Sequence, residues 1–317
     1  MSLSQSLPKR KHRRLARILV GVAVALIVLL IAGYLAVGAI AANQLTYAER
    51  LFNQDTPATF GMSYEDVSFP AREDGLKIAA WYIPADGSQE AEKRPAIVMV
   101  HGWNASRTRA FNWRFLELAQ ALHQGGFSVL MIDLRGHGQS GDSRFTFGLY
   151  ERRDVLAAVD WLLAHGHKPG QVGLIGTSMG AASVVGAAAE NQAVGAVVTD
   201  SLFAEIYPVV KGLWVKQSGL PMIFFYPTMW MFRLENGYDL ASARPIEEIG
   251  KIAPRPLLMI HCQVDQDVPV VHFQRLQQAA PWAETWLVQS CKHAEIFNEV
   301  PQEYSQRVIA FFGASLK

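Results

Sequence analysis

Gly176-Thr177-Ser178-Met179-Gly180 follows the apolar run Val172 to Ile175 and precedes the small-residue stretch Ala181 to Ala189. This reads as a strand, a sharp turn and a helix in immediate succession. Glycines two positions before and after the serine let the chain turn that tightly without Cβ clashes. A serine hydroxyl is a poor nucleophile unless it projects from such a turn toward a base. The helix behind it also aims unpaired amides and its positive dipole end at any anion formed there. A five-residue match occurs by chance, so its flanks and the rest of the chain must carry the argument.

At 317 residues, half of them apolar, the chain has material for one large core domain and an appendage. Its formal charge of +1 hides an asymmetry. Residues 1–17 hold Lys9, Arg10, Lys11, Arg13, Arg14 and Arg17 and no acid; without those six, 23 basic residues face 28 acidic ones. A basic surface for nucleic acid is therefore not expected. Ile18 to Ala42 is a run of 25 residues without a charge. At 1.5 Å per residue it crosses a hydrocarbon layer of about 30 Å. A cleaved signal peptide is the rival reading, because Ala39-Ile40-Ala41 resembles a cleavage site, but signal cores are only about 7 to 15 residues long. The expectation is a basic cytoplasmic tail (1–17), an uncleaved single-pass anchor (18–42), a connector (43–62) and an exported domain (63–317), since basic flanks stay on the cytoplasmic side.

Within that domain, Tyr64 to Pro70 and Leu76 to Ile83 alternate around Glu73-Asp74-Gly75, a hairpin pattern. Pro84 to Pro95 reads as a polar turn region. Continuous apolar runs follow at Ala96–Val100, Ser128–Leu134, Gln171–Ile175 and Ala193–Thr199, then Pro256–His261 and Thr285–Val288. Such runs are strands buried on both faces, as in a parallel sheet covered by helices. Helices are expected at Phe111–His123, Gly148–His165, Met179–Glu190 and Pro301–Phe312. The stretch 203–253, rich in aromatics between Pro221, Pro227 and Pro245, is read as a helical lid; its most apolar part, Pro221 to Phe232, is too short to cross a membrane.

A serine nucleophile needs a base and an acid that orients the base. Asp265 lies just beyond one strand and His293 just beyond the next, in the chain order expected for this topology. Together with His101-Gly102-Trp103, the Asp133-Leu134-Arg135-Gly136-His137-Gly138-Gln139-Ser140 segment, Asp265-Gln266-Asp267-Val268-Pro269 and Lys292-His293-Ala294, these motifs resemble the α/β-hydrolase superfamily. They are similar to bacterial serine hydrolases of the esterase and serine-aminopeptidase-like groups, over about residues 64–315. The resemblance implies an α/β fold: a mostly parallel eight-stranded sheet with helices on both faces and a helical lid, here behind one N-terminal transmembrane helix. It implies Ser178 as nucleophile, His293 as general base and acid, Asp265 as orienter, and the backbone amides of Trp103 and Met179 as oxyanion hole. Asp200, ending a strand where some members carry their acid, is an alternative to Asp265.

Other candidates have plainer readings. Asp267 is a loop-capping carboxylate, and His101, His137 and His261 support backbone. His165-Gly166-His167 has no metal-ligand company, being a helix end followed by Lys168-Pro169-Gly170. No metal, phosphate-loop or dinucleotide motif is found, and no cofactor is implied. In the implied topology the last two strands are neighbours, so Cys262 and Cys291 could form a disulfide tying the acid loop to the histidine loop; two free buried thiols are the alternative.

The expected function is hydrolysis of a carboxylic ester, with an apolar acyl group suggested by the aromatic lid and the anchor. A peptidase acting on short peptides is the alternative, with Glu235, Asp239, Glu247 and Glu248 available for a free amine. A catalytically idle, membrane-tethered binding protein is a reading of another class. The expected partners are a small ester or short peptide and the membrane.

Overall fold

The computed structural model describes residues 9–50, 54–86 and 94–316. Parts of the expected basic tail, connector and Pro84–Pro95 turn region lie outside the described residues. The described residues fall into two compact units: those up to Leu45 together with Trp214–Tyr238, and Thr46–Leu213 together with the residues from Asp239 onward. The expected lid stretch 203–253 is thus divided between them.

The larger unit is built on one eight-stranded sheet of order β1-β2-β4-β3-β5-β6-β7-β8. The hairpin β1 (Glu65–Pro70) and β2 (Lys77–Ile83) is antiparallel, and β2 also runs antiparallel to β4 (Ser128–Ile132). From there β3 (Ala96–Val100), β5 (Val172–Thr177), β6 (Val194–Asp200), β7 (Leu257–Cys262) and β8 (Glu284–Val288) continue in parallel. Strands β3, β4, β5 and β7 are buried at every position, which is why their sequences read as unbroken apolar runs rather than alternations. Alternate residues along β3, β4 and β6, namely Ile97 and Met99, Val129 and Met131, Ala196 and Val198, share one core with α3 (Phe115–Gln124) and α10 (Pro301–Ser315). The opposite face carries α4 (Glu151–Ala164) and α5 (Met179–Glu190), which pack on each other. The fold is the expected α/β hydrolase architecture.

Two helical expectations are revised in detail, and one helix is unanticipated. The helix expected at 111–123 is instead a kinked turn, α2 (Ala110–Trp113), followed by α3. Phe111, Asn112 and Trp113 adopt left-handed φ of 54°, 53° and 71°. The bend packs the Phe111 ring against Phe115, Phe297 and Tyr304, with centroids 5.4 to 5.7 Å apart. Helix α4 starts at Glu151 rather than Gly148, because the Glu151 carboxylate accepts hydrogen bonds from the N–H groups of Thr146 and Gly148 and holds them as a turn. An unanticipated helix, α8 (Val271–Ala279), lies between β7 and β8; only His272, Phe273 and Leu276 of it are buried, too few apolar positions to stand out in sequence. The remaining helices of this unit are α9 (Ile296–Glu299) and the start of α6 (Ile206–Ser218).

The smaller unit contains α1 (Lys9–Leu45) and α7 (Phe225–Asn236), which pack on each other. Within α1, His12–Leu45 is long and apolar enough to cross a membrane. Near the end of α1 the Tyr34 hydroxyl donates to the Ile223 carbonyl at 2.6 Å, and its ring lies 5.5 Å from that of Phe224.

Candidate active site

The turn at Ser178 is a forced one. β5 ends at Thr177 and α5 begins at Met179, leaving Ser178 alone between them at φ 53° and ψ −115°. Such a backbone costs of order 1–3 kcal/mol and persists only where its surroundings impose it. Here they do: a Cβ at Gly176 would run into the Gly180 carbonyl, and one at Gly180 into the carbonyls of Val100 and His101. The Ser178 N–H donates to the Asp200 carbonyl at 2.8 Å, fixing the turn to the end of β6.

Two loops from neighbouring strands meet this serine. Asp265 follows β7 and His293 follows β8, the strands being paired at Cys262 and Val288. The His293 Nδ1–H donates to Asp265 Oδ2 at 2.7 Å, since an ionised carboxylate can only accept. That leaves Nε2 as acceptor for the Ser178 hydroxyl at 2.8 Å. The other carboxylate oxygen, Oδ1, accepts the N–H groups of Asp267 (2.9 Å) and Val268 (2.8 Å). Asp267 therefore enters the loop through its backbone, and Asp265 is the residue that caps it. Burial alone would raise the Asp265 pKa; the hydrogen bond from His293, its charge and the Val268 N–H outweigh it and hold the carboxyl below its ordinary value. Burial would likewise lower the His293 pKa, but the Asp265 hydrogen bond and charge, with Asp267 and Asp200 beyond, raise it above its ordinary value. The arrangement can take a proton from Ser178 and keep the resulting imidazolium stable.

Asp200 is not the partner of His293. Its carboxylate accepts the hydroxyls of Ser201 (2.8 Å) and Tyr304 (3.1 Å) deep beneath the site. Burial raises its pKa to about 6, against the pull of those two donors and of His293. The Ser201 Oγ also accepts the Ala294 N–H at 3.1 Å, so this network grips the backbone directly after His293. Ser201 and Tyr304 escaped the sequence reading; the flagged Asp200 next door was the signal for the first, and nothing local marks the second.

Cys262 and Cys291 are joined by a disulfide, with Cα atoms 5.8 Å apart. Four other histidines are occupied elsewhere. His101 donates through Nδ1 to the Gly102 carbonyl (2.8 Å) and accepts the Leu134 N–H at Nε2 (3.0 Å), and burial drives its pKa down to about 4. His137 bonds the Arg135 carbonyl at 2.8 Å, with a pKa lowered to about 3 by burial and by the charge of His101. His261 bonds the Val268 carbonyl at 3.0 Å, and His167 the Tyr82 hydroxyl (3.1 Å) and Arg94 carbonyl (3.0 Å). Among the described residues no cluster of His, Cys, Asp and Glu is suited to a metal ion.

A cleft of about 280 Å³ opens over Ser178 and His293. Trp103 lines it, as do Phe111, Asn112, Arg109 and Glu295. Met179 follows Ser178 as the first residue of α5. Arg109 and Glu295 are the cleft's charged residues beside His293, and no local sequence signal marks either. Three of the four acids considered for amine binding have other partners: Glu248 pairs with Arg152 (2.7 Å), Glu247 with Arg244 (2.8 Å), and Asp239 accepts the Ala241 N–H (2.9 Å); Glu235 is exposed on α7.

Residues 74–299 match the model of the X-Pro dipeptidyl-peptidase (S15) family. The uncharacterized protein YfhR of Escherichia coli (strain K12) is 26% identical over 259 residues, 80% of this chain and 82% of its own. Among solved structures, the esterase Pf2001 of Pyrococcus furiosus superposes with a TM-score of 0.70 at 25% identity, over 86% of this chain and 98% of its own. A puromycin-hydrolyzing peptidase of Mycobacterium tuberculosis shares the fold, with a TM-score of 0.63 at 16% identity over 83% of this chain and 42% of its own. The matched segment contains the elbow strand, both loops and the whole cleft, so the chain belongs to the S15 family within the α/β-hydrolase superfamily and is a hydrolase.

Proposed function

We propose that the protein is a serine hydrolase that cleaves a carboxylic ester through an acyl-enzyme. The observation that carries this reading is the unbroken chain of hydrogen bonds from Ser178 through His293 to Asp265, at 2.8 and 2.7 Å. In the first half-reaction the Ser178 Oγ attacks the ester carbonyl while its proton passes to His293 Nε2. The tetrahedral oxyanion is met by the backbone amides of Met179 and Trp103 and by the N-terminus of α5. Collapse breaks the carbonyl–oxygen bond, and His293 returns the proton to the departing alcohol. Water then repeats the sequence, releasing the acid and restoring Ser178.

Trp103, Phe111 and Ala105 give the cleft an apolar wall, which favours a lipophilic acyl group. A series of p-nitrophenyl esters tests this: kcat/KM should rise with acyl length from acetate to octanoate, and a flat or falling series would remove the lipophilic preference. A fluorophosphonate probe tests the chemistry, with labelling expected in the native protein and absent in Ser178→Ala; absence from both would leave the binding-protein reading.

A peptidase is the second reading, favoured by the family match and by Glu295, whose carboxylate borders the cleft two residues beyond His293. Were it correct, a free-amine dipeptidyl anilide would be cleaved faster than its N-acetyl derivative, and Glu295→Gln would abolish the difference. The helix α1 is proposed as an uncleaved anchor with its basic end in the cytoplasm and the hydrolase unit exported, where the Cys262–Cys291 disulfide is chemically at home.

A further inference from the structure

The helix α7 carries two kinds of surface. Phe225, Thr228 and Phe232, at i, i+3 and i+7, are buried, and Pro227 seats on α1. The opposite line of α7, Tyr226, Trp230 and Leu234, is continued by Ile223 in the 3-10 turn Met222–Phe224 just before the helix, and these four are 56%, 52%, 60% and 62% exposed. A continuous exposed stripe of four large apolar side chains is unusual for a water-soluble surface. Twelve residues, about 18 Å of helix, are too few for α7 to cross a bilayer itself.

What covers this stripe follows from where α7 meets α1. The Tyr34 hydroxyl bonds Ile223, and Gly38 abuts Pro227, where a Cβ would lie 2.9 Å from the proline carbons. Four residues forward on one helix thus correspond to four forward on the other, so the two run side by side in the same direction. Small residues allow such close approach between helices in membranes. Counted from Ile18 at 1.5 Å per residue, Tyr34 lies at about 24 Å, Gly38 at about 30 Å and Ala41 at about 35 Å. A hydrocarbon layer of about 30 Å therefore ends beside Pro227. Ile223 sits at the level of the last hydrocarbon, and Trp230 about one turn beyond it, in the layer where tryptophan and tyrosine concentrate.

We infer that the stripe formed by Ile223 in the turn before α7 and by Tyr226, Trp230 and Leu234 on α7 is immersed in the leaflet that the C-terminal end of α1 reaches, making the two helices a membrane foot whose partner is lipid. The inference rests on α1 spanning a bilayer. It gives residues 214–238 a lipid-binding surface that the hydrolase reaction does not require. Arg233, exposed beside Leu234, suits the headgroup end of the same helix.

The test uses the full chain in phosphatidylcholine–phosphatidylglycerol vesicles. Single cysteines at Ile223→Cys, Trp230→Cys, Leu26→Cys and Lys251→Cys are labelled with a nitrobenzoxadiazole fluorophore without reductant, the native cysteines being paired. Lipids spin-labelled shallow or deep in the acyl chain then quench by proximity. Leu26 should respond most to the deep label, Ile223 at least twofold more to the shallow than to the deep label, Trp230 to the shallow label only, and Lys251 to neither. Gly38→Leu, which wedges the helices apart, should cut quenching at Ile223 and Trp230 severalfold while leaving Leu26 unchanged. Quenching at Leu26 with none at Ile223 and Trp230 overturns the foot while the anchor stands. No quenching at Leu26 removes the anchor and the foot with it. A stripe shielded from aqueous iodide yet blind to lipid spin labels belongs to a second copy of the chain, which also overturns the inference.

Discussion

Cys262 and Cys291 bind the two loops of the site at their roots: Asp265 comes three residues after the first and His293 two residues after the second. The bridge closes a loop with a sequence separation of 29, for which chain entropy gives a stabilisation of about 3.5 kcal/mol as an upper figure. The double variant Cys262→Ala/Cys291→Ala should unfold at lower urea by about 2–3 kcal/mol. If the loops are held by the bridge, its kcat should also fall about tenfold with KM little changed, and reductant should reproduce the loss in the native protein. Equal kcat with and without reductant would confine the bridge to stability.

The proton path makes a pH prediction. His293 must be neutral to accept from Ser178, and its pKa is raised by Asp265, so kcat/KM should rise with pH through a limb placed above 6.5, the ordinary histidine value. Asp265→Asn removes the group that raises it. The limb should then move to lower pH, while kcat drops by roughly 10⁴ because the imidazole loses its tautomer control. A limb that stays in place in the variant would mean another group titrates.

Asp200 gives a stability test of opposite character. Its folded pKa of about 6 stands above the ordinary 3.8, so the folded chain holds this proton more tightly than the unfolded one. The sign follows: its contribution is complete below about pH 4 and is lost as pH rises through about 6. The unfolding free energy of the native protein relative to Asp200→Asn should therefore decline between pH 4 and 7 by on the order of 2 kcal/mol. Urea titrations at several pH values read this directly, and a constant difference would refute the raised pKa.

Tyr304→Phe removes one of the two hydroxyls on that buried carboxylate. Leaving it short of a donor should cost about 1–3 kcal/mol, or several degrees in Tm. Catalysis should suffer less, because Ser201 still joins Asp200 to the Ala294 N–H. A kcat collapse in Tyr304→Phe with unchanged Tm would reverse that assignment.

Gly180→Ala tests the turn itself. Its methyl would strike the carbonyls of Val100, the last residue of β3, and of His101 just after it, both buried backbone with no room to yield. Destabilisation of more than about 2 kcal/mol is expected, with fluorophosphonate labelling of any folded remainder slowed at least tenfold.

Sequence reading found the sheet and the Ser178, Asp265 and His293 cluster because both are encoded locally. Strands buried on two faces are unbroken apolar runs, and each of the three residues stands just past one such run. It did not find what depends on distant residues meeting. Tyr304 reaches Asp200 across 104 positions, Arg109 and Glu295 meet at one cleft from distant parts of the chain, and Phe111–Trp113 turn left-handed where a helix was expected. The pairing of α7 with α1 was equally hidden, since neither Gly38 nor Pro227 announces a partner some 190 residues away.

That pairing bears on how the hydrolase can be handled. A chain cut to begin at Thr46 loses α1 but keeps Phe224 and Pro227, whose covering residues Tyr34 and Gly38 leave with the cut. Such a fragment carries a freshly bared sticky side on α7 in addition to its outer stripe, and should need detergent or self-associate in spite of having no transmembrane helix. Excising residues 214–238 along with the N-terminal segment removes a whole unit rather than half of one, and is the cut to try for a freely soluble enzyme.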